Sequence, residues 1–149
     1  FSTPSARGQF AEIPAYVIIS PMSKSDSLLE GKKPLEALDS ARLIVDLIVA
    51  KMGFDVLLLD ISKLTLIADY FVIATAESTR QLKAITENMV TQLKVEHSII
   101  PLSVEGTAES GWVLVDYGSV IVHLFSEVQR DRYQLEKLWG NARTVLRVA

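Results

Sequence analysis

"GWVLVDYGSVIVHLF", Gly111 to Phe125, decides how this chain folds. Two β-branched, apolar runs flank Tyr117-Gly118, and a glycine that tolerates positive φ between such runs reads as a β-hairpin with Tyr117-Gly118 as its two-residue loop. In that register Trp112 lies opposite His123, Leu114 opposite Ile121 and Asp116 opposite Ser119. These six share one face of the hairpin. Val113, Val115, Val120, Val122 and Leu124 fill the other, so the aliphatic face is expected to pack on helices. The first face is then a platform of aromatic, imidazole and carboxylate groups, open to a partner.

Downstream, Ser126 can cap a helix through Leu138, with Val128, Leu135 and Leu138 inward, Arg132 and Glu136 paired at i, i+4, Trp139 as a clasp on the core and Gly140 as the stop. Upstream, "DYFVIATAESTRQ" (69–81) joins a strand, 69–75, to a helix from Ser78 to about Val95. Ser78 and Gln81 have capping-box spacing, and Leu82, Ile85, Met89 and Leu93 recur at helical period. A short strand near 99–105 follows. Before these come a helix capped at Asp39 or Ser40 and stopped by Gly53, with Leu43, Ile44, Leu47 and Ile48 inward, and a buried strand over 55–61. The order predicts one α/β domain over 37–140, with a mixed β-sheet of about five strands and packed helices. Residues 141–149 read as a C-terminal tail. Residues 1–36, rich in Ser, Pro, Gly and Lys, read as a flexible N-terminal extension, with a short apolar segment at Ile13–Ile19; residues 1–21 suit an upstream extension, a processed remnant or vector-derived sequence.

Composition narrows the chemistry. There is no cysteine and only two histidines, His97 and His123, which leaves no recognisable metal motif and no cofactor expected. No apolar run approaches the ~20 residues that span a bilayer, so no membrane partner is expected. The formal net charge is −3, which argues against a surface that grips nucleic-acid phosphates non-specifically, and no direct sequence-specific nucleic-acid binding is expected. From Val95 to Gln129 there is no Lys or Arg, while Glu96, Glu105, Glu109, Asp116 and Glu127 fall there. Such a stretch suits a basic partner.

Three catalytic readings fail on the residues. The strand-to-helix junction at 75–79 has the place of a phosphate site, but "TAEST" carries no glycine and places Glu77 where an anion would sit. Gly118-Ser119 followed by Asp131 has the look of a nucleotidyltransferase motif, yet it sits in a hairpin turn without a second carboxylate two residues from Asp131. Ser119 and His123, with Asp116, would need to meet as a triad, but four residues along a strand separate the first two by roughly 13 Å.

"DYFVIATAESTRQ" (69–81), "VEG" (104–106) with Trp112 downstream, "DYGSVIVHLF" (116–125) and "RDRYQLEKLW" (130–139) together resemble the Iojap family, the bacterial and organellar ribosomal silencing factors. The resemblance covers about 37–140. It implies a nucleotidyltransferase-like fold without a known catalytic motif, hence no enzyme. It further implies binding to the large ribosomal subunit through its ribosomal protein fourteen, which blocks joining of the small subunit and represses translation. Large-subunit assembly, as in organellar relatives, or a nucleotidyltransferase-like enzyme are the alternatives. The family usually has Gly where this chain has Ala76. Residue by residue, the resemblance and the hairpin register assign partner binding to Trp112, Asp116, Tyr117 and His123, with Glu105 and Glu127 at the rim, and a homodimer through the same surface is expected when the protein is free. Bacterial cytoplasm is the expected compartment, with an organellar matrix or stroma as alternative.

Overall fold

The computed structural model describes residues 36–149. The expectations for residues 1–35, including the short apolar segment at Ile13–Ile19, lie outside them. Helix α1 (Ala37–Ala50) is followed by β1 (Phe54–Asp60), β2 (Tyr70–Ala76), α2 (Thr79–His97), β3 (Ser103–Thr107), a 3-10 turn (Ala108–Ser110), β4 (Trp112–Asp116), β5 (Val120–Ser126), the short helices α3 (Glu127–Tyr133) and α4 (Leu135–Leu138), and β6 (Arg143–Val148). The strands form one mixed sheet in the order β3-β4-β5-β2-β1-β6. Only β2 and β5 run parallel, and the other neighbours are antiparallel.

The expected α/β architecture is present, with one strand more than the sequence suggested. Residues 143–148, assigned to a tail, pair antiparallel with β1 from Asp60↔Arg143 to Val56↔Val148. Val145, Leu146 and Val148 pack against the core, which gives this segment its reason to stay on the sheet.

Period-2 patterning puts a core on each sheet face. On one, Val113, Val115, Val120, Val122 and Leu124 meet Ile44 and Ile48 of α1 and Leu82, Ile85, Met89 and Leu93 of α2. The expected aliphatic face is therefore packed on helices. Ser78 caps α2 as its spacing predicts, its hydroxyl accepting from Gln81 N at 3.1 Å. The Gln81 amide also donates to Lys51 O and Met52 O at the end of α1. One side chain thus ties two helix ends together. α1 starts ahead of Asp39 and Ser40, with Glu36 at its N-cap and no side-chain cap, and it ends ahead of Gly53, where Met52 and not the glycine takes the left-handed conformation at φ +70°. Gly53 is required by space, since a Cβ there would run into Ile48 Cγ2. The opposite face carries the second core, with Leu57, Phe71, Ile73, Trp112, Leu114, Ile121, Phe125 and Leu135.

Candidate functional site

The hairpin forms, but its loop is Gly118-Ser119. Tyr117 N donates to Val120 O at 2.9 Å, and Gly118 takes φ +92°, which a side chain rarely tolerates. Moving the loop by one residue moves the pairing by two. Trp112 faces Phe125, Leu114 faces His123 and Asp116 faces Ile121, in place of the expected pairs. A two-residue offset keeps every side chain on its face, so Trp112, Leu114, Asp116, Ile121 and His123 remain together.

That face is not open. The segment after β5 folds over it, and Tyr133, Leu135, Trp139 and Ala142 cover the aromatic residues. Trp112 is 2% exposed and His123 0%. The Trp112 ring stacks on Phe125 at 5.1 Å and lies 4.9 Å from Tyr133, while Phe71 stands edge-on to His123 at 4.8 Å and to Trp139 at 5.0 Å. The clasp expected of Trp139 is real. Trp112 and His123, expected at an open face, are thus both enclosed in the second core.

Trp112 Nε1 donates to His123 Nδ1 at 3.3 Å. An accepting Nδ1 leaves the proton of a neutral ring on Nε2, a buried atom without a hydrogen-bond partner. Burial pushes the His123 pKa down to about 3, so the ring is neutral near pH 7.

The other four candidate residues do not converge. Asp116 is buried and accepts from Gly118 N at 2.7 Å, so its carboxylate holds the turn. Tyr117 is half-buried on the α2 side of the sheet, and burial pushes its hydroxyl up to about 12. Glu105 is half-buried on β3, opposite Leu114. Glu127 is exposed in the first turn of α3, where it suits the helix dipole. It sits at the end of β5 away from Tyr117, roughly 20 Å distant by strand rise.

The sequence reading missed Arg130. Ser126 does cap α3, accepting from Gln129 N at 3.2 Å, but the helix breaks at Gln134, which adopts φ +44°. This turns Val128 out to 74% exposure and leaves Leu138 exposed, against expectation, while Leu135 is buried. It also brings Glu136 to Arg130 rather than to Arg132, with Arg130 Nε 3.1 Å from the carboxylate. Arg130 Nη1 donates to Asp55 O at 2.8 Å and to Thr75 Oγ1 at 2.7 Å. Asp55 has φ +51° at the irregularity in β1. One buried guanidinium therefore pins the covering segment to β1 and β2. Nothing in the sequence sets Arg130 apart, since it stands in α3 among Glu127, Gln129, Asp131 and Arg132.

Among the described residues, no group of three or more His, Cys, Asp or Glu is placed to hold a metal ion, and no helix is long and apolar enough to cross a membrane.

Residues 34–148 match the family model described as "Ribosomal silencing factor during starvation". The chain belongs to the RsfS family. It is similar to the ribosomal silencing factor RsfS of Bacillus subtilis (strain 168), at 44% identity over 92 residues that cover 62% of this chain and 77% of the relative. It is also similar to the chloroplastic protein Iojap of Zea mays, at 29% identity over 85% of this chain and 54% of the relative. The crystal structure of protein CV0518 from Chromobacterium violaceum matches with a TM-score of 0.68 and 36% identity, over 71% of this chain and 88% of that one.

On this chain the hairpin face is closed, and the exposed apolar residues Ile100, Leu102 and Val104 stand instead beside the outer strand β3.

Proposed function

We propose that this chain silences ribosomes: it binds the large ribosomal subunit through ribosomal protein fourteen, occupies the face that meets the small subunit, and so lowers translation. The observation that carries the reading is the family match over residues 34–148, which spans the whole described sheet. The chemistry of the surface supports it. The acidic stretch without Lys or Arg from Val95 to Gln129 suits a basic ribosomal protein better than ribosomal RNA. Silencing by occupancy needs no reacting group. In this reading the protein acts as a steric block and not as an enzyme, in the bacterial cytoplasm or an organellar equivalent.

The test is co-sedimentation with purified large and small subunits at low and moderate salt, followed by a subunit-joining assay. Saturable binding to the large subunit alone, with fewer joined ribosomes as the protein is titrated in, is the expected result. Binding to neither subunit, or binding that leaves joining unchanged, overturns the proposal.

A further inference from the structure

We propose that residues 127–142 form a latched strap, which lifts off the sheet as a unit while all six strands stay paired, with Arg130 as the latch. The motion switches the aromatic face between a covered and an open state. Any contact made by Trp112 or His123 is then scaled by the open population, a brake built into the fold.

The connectivity permits it. Gln134 N donates to Arg130 O, Lys137 N to Gln134 O, Trp139 N to Leu135 O and Ala142 N to Trp139 O, so the turns of this segment close on themselves rather than on a strand. Helices of seven and four residues, as α3 and α4 are, do not persist without packing. Both ends stay in the sheet, since β5 finishes at Ser126 and β6 is paired with β1 from Arg143 onward. These ends lie about 25 Å apart by strand rise and spacing. The sixteen residues between them reach about 50 Å when extended. The segment can therefore leave the face without unpairing a strand.

The closed state is also imperfectly satisfied. Of the apolar residues that cover the face, only Leu135 is fully buried, while Tyr133, Trp139 and Ala142 are half-buried. Trp139 Nε1 and Gln129 Oε1 in the strap, and His123 Nε2 on the face beneath it, are buried polar atoms without a hydrogen-bond partner. Closing desolvates each of them, and opening returns them to water. Gln134 holds φ +44°, and Asp55, whose carbonyl receives the latch, holds φ +51°. Residues other than glycine keep such conformations only where their surroundings enforce them.

Against these costs stand the apolar contacts and one guanidinium. Arg130 Nη1 donates to Asp55 O and Thr75 Oγ1 in the sheet, while Nε meets Glu136 in the strap. Arg130 therefore joins the moving part to the fixed one. A segment held by few buried side chains and one charged tie opens at a lower free energy than the strands below it.

Hydrogen exchange on the full chain, followed by NMR, tests the strap. The probe is the indole Nε1–H of Trp112, which is bonded to His123 on the covered face with Tyr133 beside the ring. The references are the backbone amides of β5, a strand paired on both sides. Corrected for intrinsic rates, the indole should exchange through an opening roughly tenfold or more better populated than that of the β5 amides, and with a weaker dependence on urea. Arg130→Gln should speed indole and β5 exchange by the same factor, roughly tenfold or more, because the latch is lost in the open and the unfolded state alike.

An indole that exchanges with the free energy and urea dependence of the β5 amides would show that only global unfolding uncovers the face, and would overturn the strap. An indole unaffected by Arg130→Gln while β5 exchange rises would mean that a local ring motion, and not release of Arg130, exposes it, which overturns the latch. Should Arg130→Gln fail to fold, the comparison of indole and β5 in the unchanged protein still decides whether the strap opens.

Discussion

Trp112 Nε1 and His123 Nδ1 meet at 3.3 Å between adjacent strands of the hairpin, inside a core that excludes solvent from both rings. The pair fixes the tautomer of the imidazole, and the imidazole in turn satisfies the only donor of the indole. Changing either residue is therefore first a change in stability.

Trp112→Ala should cost about 3–5 kcal/mol, since it removes the largest ring from a closed aromatic block. Trp112→Phe should cost less, about 1–3 kcal/mol, by leaving His123 Nδ1 without its donor. Urea midpoints at pH 7 check both. A fully stable Trp112→Phe that no longer binds large subunits would show that the indole makes a direct contact, against its burial here.

His123 predicts an acid sensitivity. Its pKa falls from 6.5 to about 3 on folding, so below pH 6.5 the unfolded chain takes up a proton that the folded chain does not. Stability from this group is fully present above pH 6.5 and declines as pH drops toward 3. Between pH 7 and pH 5 the loss should be about 2 kcal/mol. His123→Gln, measured over the same range by urea denaturation, should lose that component of the slope; an identical slope in the variant would refute it.

Arg130 is a buried charge with a carboxylate, a hydroxyl and a carbonyl as partners. Arg130→Ala should destabilise by about 3–5 kcal/mol, because Thr75, Asp55 and Glu136 all lose a donor at once. Glu136→Gln, at a more exposed partner, should cost less. Protease digestion should find the 127–142 segment cut earlier in Arg130→Ala than in the unchanged protein. Equal protection would mean that the segment is held by its apolar contacts alone.

Gly53 tests space rather than backbone freedom. Gly53→Ala forces a methyl against Ile48 Cγ2 and should cost about 1–3 kcal/mol, because both Gly53 and Ile48 are enclosed. Ile48→Ala removes Cγ2 itself, so Gly53→Ala should cost less in an Ile48→Ala background than in the unchanged protein, a non-additivity that thermal unfolding of the single and double variants checks.

Between α1 and β5 the sequence by itself determined which segments form helices and strands and which side of the hairpin strands packs on helices, because periods of 2 and 3.6 are local properties of the chain. Thus Leu82, Ile85, Met89 and Leu93 are all buried on α2, and Val113, Val115, Val120, Val122 and Leu124 place their side chains on the helical layer. Ser78 and Ser126 cap where their spacing says, since a cap needs only three neighbouring residues. The absence of glycine and the presence of Glu77 at the strand-to-helix junction likewise argued locally against a phosphate site.

Tertiary structure decided everything that depends on distant partners. Pairing offsets that differ by two residues give the same inward pattern, so the sequence could not separate Trp112 opposite His123 from Trp112 opposite Phe125. Arg143–Val148 became a strand only because β1 offered it an edge. The break at Gln134 let residues 127–142 close over the face that looked like a platform, with Arg130 reaching across 75 residues to Asp55. Strand order, too, is a property of the assembled sheet: among the described residues β3 comes at one end of it and β6 at the other, which no local pattern in the sequence specifies.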